Sequence, residues 1–214
     1  MTDRTAVHQK EAERRLRLAA VKEEQDRATR KGRAISLAGW AVALLLVAGI
    51  IAAGLLSSKP QDQTASTPTP APPFSLTDTT GATVDLAGFL GRNVILYFSE
   101  GAGCQSCLLQ MAQIEAQQAK FHEANITVLP IVMNTKDQIT ADMAANNVRT
   151  PFLLDDGTVS TAYGTIGRGM HAGLPGHSFV VIDTAGMQRW YGEYPSMWLE
   201  PADLLAKAQA ALSR

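Results

Sequence analysis

Asn93-Val-Ile-Leu-Tyr-Phe98, followed after a short glycine-bearing loop by Cys104-Gln105-Ser106-Cys107, decides the reading of this chain. The apolar run is bounded by Gly91 and by Ser99-Glu-Gly-Ala-Gly103, the length and flanks of a buried strand. The chain's two cysteines then fall at i and i+3 on the predicted first turn of a helix. Thiols so placed can close a disulfide and reopen it. The free N–H groups of a helix N-terminus stabilise the thiolate of the first cysteine, and the second waits one turn away to displace a mixed disulfide. Cys104 is therefore the expected nucleophile and Cys107 the resolving thiol. Half a zinc site and a pair of inert buried thiols are the competing readings. A structural zinc site normally has four ligands, and His8, His122, His171 and His177 include no pair at zinc-finger spacing.

Working outward, Phe74 to Leu86 reads as a short hairpin turning at Asp78 to Gly81. Cys104 to about Asn125 reads as a helix, with Leu108, Met111, Ile114 and Phe121 on one face. Ile126 to Met133 is a second central strand, in which Pro130 predicts an edge position or a local break in pairing. A helix over Asp137 to Asn147, a short strand at Phe152 to Leu154 and a short helix over Thr158 to Tyr163 come next. His177 to Asp183 and Met187 to Tyr191 form a final hairpin, and Glu200 to Leu212 a closing helix with Pro201 in its first turn. Strands alternating with helices and ending in a hairpin predict an α/β fold with a mixed sheet.

The N-terminal third is different in kind. Residues 1–33 carry ten Lys/Arg against six Asp/Glu and read as a charged cytoplasmic tail. Residues 34–58 hold no charge, and about 23 apolar residues would make a helix of roughly 35 Å, enough to cross a membrane. The basic excess before this segment predicts an N-terminus inside and a single-pass protein of the cell membrane whose domain over 74–214 is extracytoplasmic. Residues 59–73, rich in Pro, Thr and Ser, read as an extended tether. No basic patch in the C-terminal part suggests a nucleic-acid partner.

Pro73-Phe-Ser-Leu-Thr-Asp78, Gly81, Val84-Asp-Leu86 and Gly91 to Phe98 with the CxxC, then Leu154-Asp-Asp-Gly157, Ala162-Tyr-Gly164 and Phe179 to Asp183 with Gly186, carry a family resemblance. The chain from about Pro72 to Arg214 resembles the redoxin (AhpC/TSA-like) branch of the thioredoxin-fold superfamily. Membrane-tethered thiol-disulfide oxidoreductases of the TlpA and ResA type belong to that branch. The resemblance implies a thioredoxin-like fold, with a mixed central sheet flanked by helices, which would follow the one transmembrane helix that hydropathy predicts. It also implies a cis-proline beside the dithiol. Pro175 is the match, with Pro151 the fallback, and the backbone of Leu174 would then pair with a substrate strand.

The residues and the resemblance together predict an extracytoplasmic thiol-disulfide oxidoreductase that acts on protein thiols or disulfides and is served by a membrane or extracytoplasmic electron donor. It needs no cofactor beyond the Cys104–Cys107 disulfide. Glu100 is a candidate proton acceptor for Cys107. Two alternatives remain. A peroxiredoxin-like peroxidase would carry Pro-x-x-x-Thr-x-x-Cys, where this chain has Tyr97 and Gly101. A copper chaperone resembling the Sco type would bind Cu(I) through Cys104, Cys107 and His171 or His177.

Overall fold

The computed structural model describes residues 22–23, 39–54, 60–167 and 172–213, in two units spanning 1–56 and 57–214. Eight strands of the second unit form one sheet in the order β1-β8-β7-β4-β5-β6-β2-β3. They are β1 (Gln61–Pro70), β2 (Ser75–Asp78), β3 (Thr83–Asp85), β4 (Asn93–Phe98), β5 (Ile126–Val132), β6 (Leu153–Leu154), β7 (Ser178–Ile182) and β8 (Met187–Glu193). The pairs β4–β5 and β5–β6 are parallel and the remaining neighbours antiparallel, which makes the sheet mixed. Residues 39–54 are helical (α1). The other helices are α2 (Gln105–Ala116), α3 (Gln118–Glu123), α4 (Lys136–Ala145), α5 (Thr158–Ala162) and α6 (Pro201–Leu212). The second unit has a thioredoxin-like α/β fold, as the motif order predicts.

Strand periodicity builds two apolar layers. Ile95 and Tyr97 of β4 and Phe179 and Val181 of β7 point to one face, where Cys107, Leu108, Met111 and Ile114 of α2 and Leu204, Ala208 and Ala211 of α6 meet them. Val94, Leu96, Phe98, Val180 and Ile182 point to the other face, against Phe74, Val159 and Tyr163. Alternate side chains on a strand take opposite faces, so β4 and β7, apolar after their first residues Asn93 and Ser178, must be covered on both. The first layer carries the cysteines.

Two expectations change and one, the local break in pairing at Pro130, holds. The 59–73 tether is largely strand: Gln61–Pro70 pairs antiparallel with β8 at the sheet edge, with a register shift between Thr64 and Thr69. Thr suits an extended edge, and prolines are tolerated there because one side of the strand needs no ladder donor. The helix predicted over 104–125 breaks at Gln117 into α2 and α3. Pro130 lies in a central strand, yet β5 meets β6 only from Ile131 onward, so the residue sits where one flank is locally unpaired.

The transmembrane expectation is not borne out among the described residues. Among the described residues no helix is long and apolar enough to cross a membrane; of the predicted span, residues 39–54 are described, and they are helical. The single-pass, extracytoplasmic location inferred from that span falls with it. The charged tail at 1–33 lies outside the described residues except for 22–23.

Candidate active site

β4 ends at Phe98, and residues 99–104 carry the chain over the end of the sheet to α2. Cys104 is the N-cap of α2, half-buried and in extended conformation. Its Sγ accepts a hydrogen bond from the Cys107 N–H at 3.2 Å, and its carbonyl accepts from Leu108 N–H. Cys107, one turn on, is 1% exposed. The two sulfurs are joined in a disulfide, with the Cα atoms 5.3 Å apart. The CxxC at a helix N-terminus is thus present, with one sulfur at the rim and one in the core.

The loop before Cys104 is held by side chains from the β5–α4 connection and from α4. Ala102 N–H donates to Asn134 Oδ1 at 2.8 Å, and Gly103 N–H donates to Asp142 Oδ2 at 2.7 Å. Gly101 is buried with φ +71, and a Cβ there would collide with Asn134 Oδ1 and come within 2.7 Å of Val132 Cγ1. Only glycine fits, because the backbone conformation and the lack of space both exclude a side chain. This is the position at which the peroxidatic pattern has threonine.

On the inner side, Tyr97 Oη lies 3.1 Å from the carbonyl oxygen of Cys107 and 3.3 Å from His177 Nδ1. Tyr97 stacks on Phe179 with ring centroids 4.8 Å apart, and His177 meets both rings edge-on. Burial lifts the Tyr97 phenol far above its usual range, the Ser99 hydroxyl offsets part of that, and the Glu100 charge adds to it. Burial pushes His177 down to about 4. Both rings are therefore neutral near pH 7.

Glu100 follows Ser99 in the loop and is partly buried, its charge felt at Tyr97. The cis-proline expectation fails, since no peptide bond among the described residues is cis. Pro175 instead pairs with Ile166 in an antiparallel bridge, with Gly167 N–H donating to the Leu174 carbonyl and Gly176 N–H to the Thr165 carbonyl, each at 2.7 Å. The Leu174 carbonyl is thus already engaged within the chain. Pro151, the fallback, is likewise not cis. His171 lies outside the described residues, and His177 turns its Nδ1 to Tyr97. Among the described residues no group of three or more His, Cys, Asp or Glu is placed to hold a metal ion.

Sequence reasoning missed Gly101 as a close-approach glycine, the Asn134 and Asp142 staples, and the Tyr97 link to Cys107. The Gly101-Ala-Gly103 spacing carried a signal for the first, because paired glycines in a loop mark positive φ. Both are positive here, at +71 and +84.

The fold and the CxxC disulfide define a thioredoxin-fold redoxin. The AhpC/TSA family pattern matches residues 68–190, and the chain belongs to that family. A protein of Mycobacterium tuberculosis that carries a peroxiredoxin name is 33% identical over 98 residues, covering 45% of this chain and 62% of that one. Chloroplastic peroxiredoxin Q of Triticum aestivum is 28% identical over 121 residues, covering 56% and 55%. The chain therefore spans less than two thirds of the length of these relatives. The crystal structure of peroxidoxin BcpB from Mycobacterium tuberculosis superposes with a TM-score of 0.56 at 22% identity, over 69% of this chain and 96% of that one. A solution structure from Bacteroides thetaiotaomicron, named a protein disulfide isomerase, gives 0.53 at 24% identity over 68% and 89%. These two likenesses show the fold.

Proposed function

We propose that this chain is a two-cysteine thiol peroxidase in which Cys104 is oxidised and Cys107 resolves. The observation that carries the reading is the Cys104–Cys107 disulfide at the N-terminus of α2, in a member of the AhpC/TSA family. The peroxiredoxin names of the relatives favour a peroxide over a protein disulfide as the oxidant. The Cys104 thiolate attacks one oxygen of a hydroperoxide; the O–O bond breaks, giving a sulfenic acid on Cys104 and, after proton uptake, an alcohol or water. The Cys107 thiolate then attacks the Cys104 sulfur, the S–S bond forms and hydroxide leaves as water. An external dithiol reopens the disulfide through a mixed disulfide and takes the oxidising equivalents away. The couple itself is the only redox group the cycle needs. Glu100 is the candidate acceptor for the Cys107 proton.

A second reading, dithiol–disulfide exchange with protein substrates, is favoured by Gly101. No hydroxyl side chain fits there, and the neighbouring amides of Ala102 and Gly103 are committed to Asn134 and Asp142. The loop thus withholds donors that would polarise a bound peroxide, whereas attack on a disulfide needs only access to Cys104. The two readings give Cys104 and Cys107 the same roles and differ in the oxidant and in the Cys104 intermediate, a sulfenic acid or a mixed disulfide. Mixing the reduced chain with one equivalent of hydrogen peroxide or an organic hydroperoxide tests them. The peroxidase reading expects one peroxide consumed for two thiols lost, abolished by Cys104→Ser. Peroxide loss no faster than with a free small thiol, together with rapid oxidation by a protein disulfide, would move the function to exchange.

A further inference from the structure

Behind the disulfide lies a pair of buried polar side chains that the cycle above does not use. Tyr97 ends its phenol between the Cys107 carbonyl and His177 Nδ1, and neither Tyr97 nor His177 is more than 1% exposed. A phenol has a single proton to donate, and a carbonyl can only accept. The Tyr97 proton therefore goes to the Cys107 carbonyl, and His177 donates its Nδ1–H to Tyr97 Oη. This tautomer leaves Nε2 unprotonated, and Nε2 is buried with no hydrogen-bond partner among the described residues. An apolar residue at 177 would avoid that orphaned acceptor. The group that histidine supplies here is the Nδ1–H donor.

The carbonyl held by this chain of hydrogen bonds belongs to the resolving cysteine, in the first turn of α2. While the disulfide is closed, the S–S bond also ties that turn to Cys104. Once it opens, a helix end has few restraints of its own. We infer that Tyr97 and His177 are positioning residues for Cys107, locking the first turn of α2 from beneath so that the reduced Cys107 thiol stays aimed at Cys104. The inference rests on the proposed Cys104/Cys107 cycle but not on the identity of its oxidant.

Disulfide closure in the full reduced chain, mixed with excess glutathione disulfide, isolates this role. The Cys104 thiolate first attacks glutathione disulfide, breaking its S–S bond, forming a mixed disulfide and releasing one glutathione thiolate, which takes up a proton. The Cys107 thiolate then attacks Cys104 Sγ, the bond to glutathione breaks, and glutathione leaves as the thiolate and takes up a proton. Acid quenching and intact mass follow the closure, and alkylation of Cys104 is timed separately. Losing one buried hydrogen bond predicts closure slowed about tenfold in Tyr97→Phe and in His177→Leu, with Cys104 alkylation unchanged. His177→Asn, whose amide N–H can stand in for Nδ1–H, recovers most of the rate. Where Tyr97→Phe does not fold, the two His177 variants carry the test. Unchanged closure in Tyr97→Phe or His177→Leu overturns the positioning role. So does His177→Asn closing as slowly as His177→Leu, or Cys104 alkylation slowing in step with closure. A wild-type chain that fails to close overturns the cycle itself, which is a different result.

Discussion

The rim around Cys104 and the pocket around Cys107 lie within one helical turn and are built on opposite plans. The rim is polar and held from outside: the loop amides of Ala102 and Gly103 are tied to Asn134 and Asp142, and Gly101 is pressed against Val132 and Asn134. The pocket is apolar and held from inside, by Tyr97, His177 and Phe179 on and beside β4 and β7. A rim sulfur can meet a substrate while its loop stays rigid. A core sulfur is shielded from outside reagents and reserved for its neighbour. The difference supports the proposed division of labour, attack by Cys104 and resolution by Cys107, since access decides the first and position the second.

Breaking the rim should have the largest effect. Gly101→Thr, which supplies the threonine of the peroxidatic pattern, forces a side chain into a space already filled by Asn134 and Val132 and onto a φ of +71. Strain and overpacking together should cost on the order of 3 kcal/mol, read as a lower denaturant midpoint. A Gly101→Thr chain of wild-type stability with faster peroxide turnover would show that the rim yields, and the contrast with the pocket would disappear.

The pocket should announce itself through pH. Folded His177 titrates near 4 against about 6.5 when unfolded, so the unfolded chain binds more protons between those values. The contribution is fully present above about pH 6.5 and is lost as pH falls to about 4. It amounts to about 3 kcal/mol across the window. Denaturation curves from pH 7 to 4 should show the loss, and His177→Asn should flatten it. A wild-type profile as flat as that of the variant would mean that His177 is not buried neutral.

Asp142→Asn should do least. It removes a negative charge bound one residue before Cys104 and leaves an oxygen that can still accept from Gly103 N–H. Alkylation of Cys104 at neutral pH should rise about twofold as its thiolate becomes easier to form. A fall in the rate would mean that the carboxylate holds the loop in a way an amide cannot.

What could be read in the sequence depends on distance along the chain. The apolar run at 93–98 marks β4, and the spacing of Leu108, Met111 and Ile114 marks the inner face of α2, because strand and helix periods are local properties. The CxxC was legible for the same reason. The Asn134 and Asp142 staples are separated from their partners by 32 and 39 positions, and Tyr97 from His177 by 80, so no local pattern could join them. β1 was hidden by composition: Thr and Pro at 61–70 read as a tether until β8 offers an edge. The span predicted over 34–58 rested on hydropathy alone. The cis-proline expectation came from resemblance, and the bridge between Ile166 and Pro175 replaces it.

The central claim is that Cys104 and Cys107 form one reversible couple, and its most direct test is an equilibrium titration of the purified chain across a dithiothreitol or glutathione series, counting alkylatable thiols by mass. The account predicts a single two-electron transition in which both thiols appear together, and no such transition in Cys104→Ser or Cys107→Ser. Thiols that stay alkylatable throughout, or a disulfide that never opens, would contradict it.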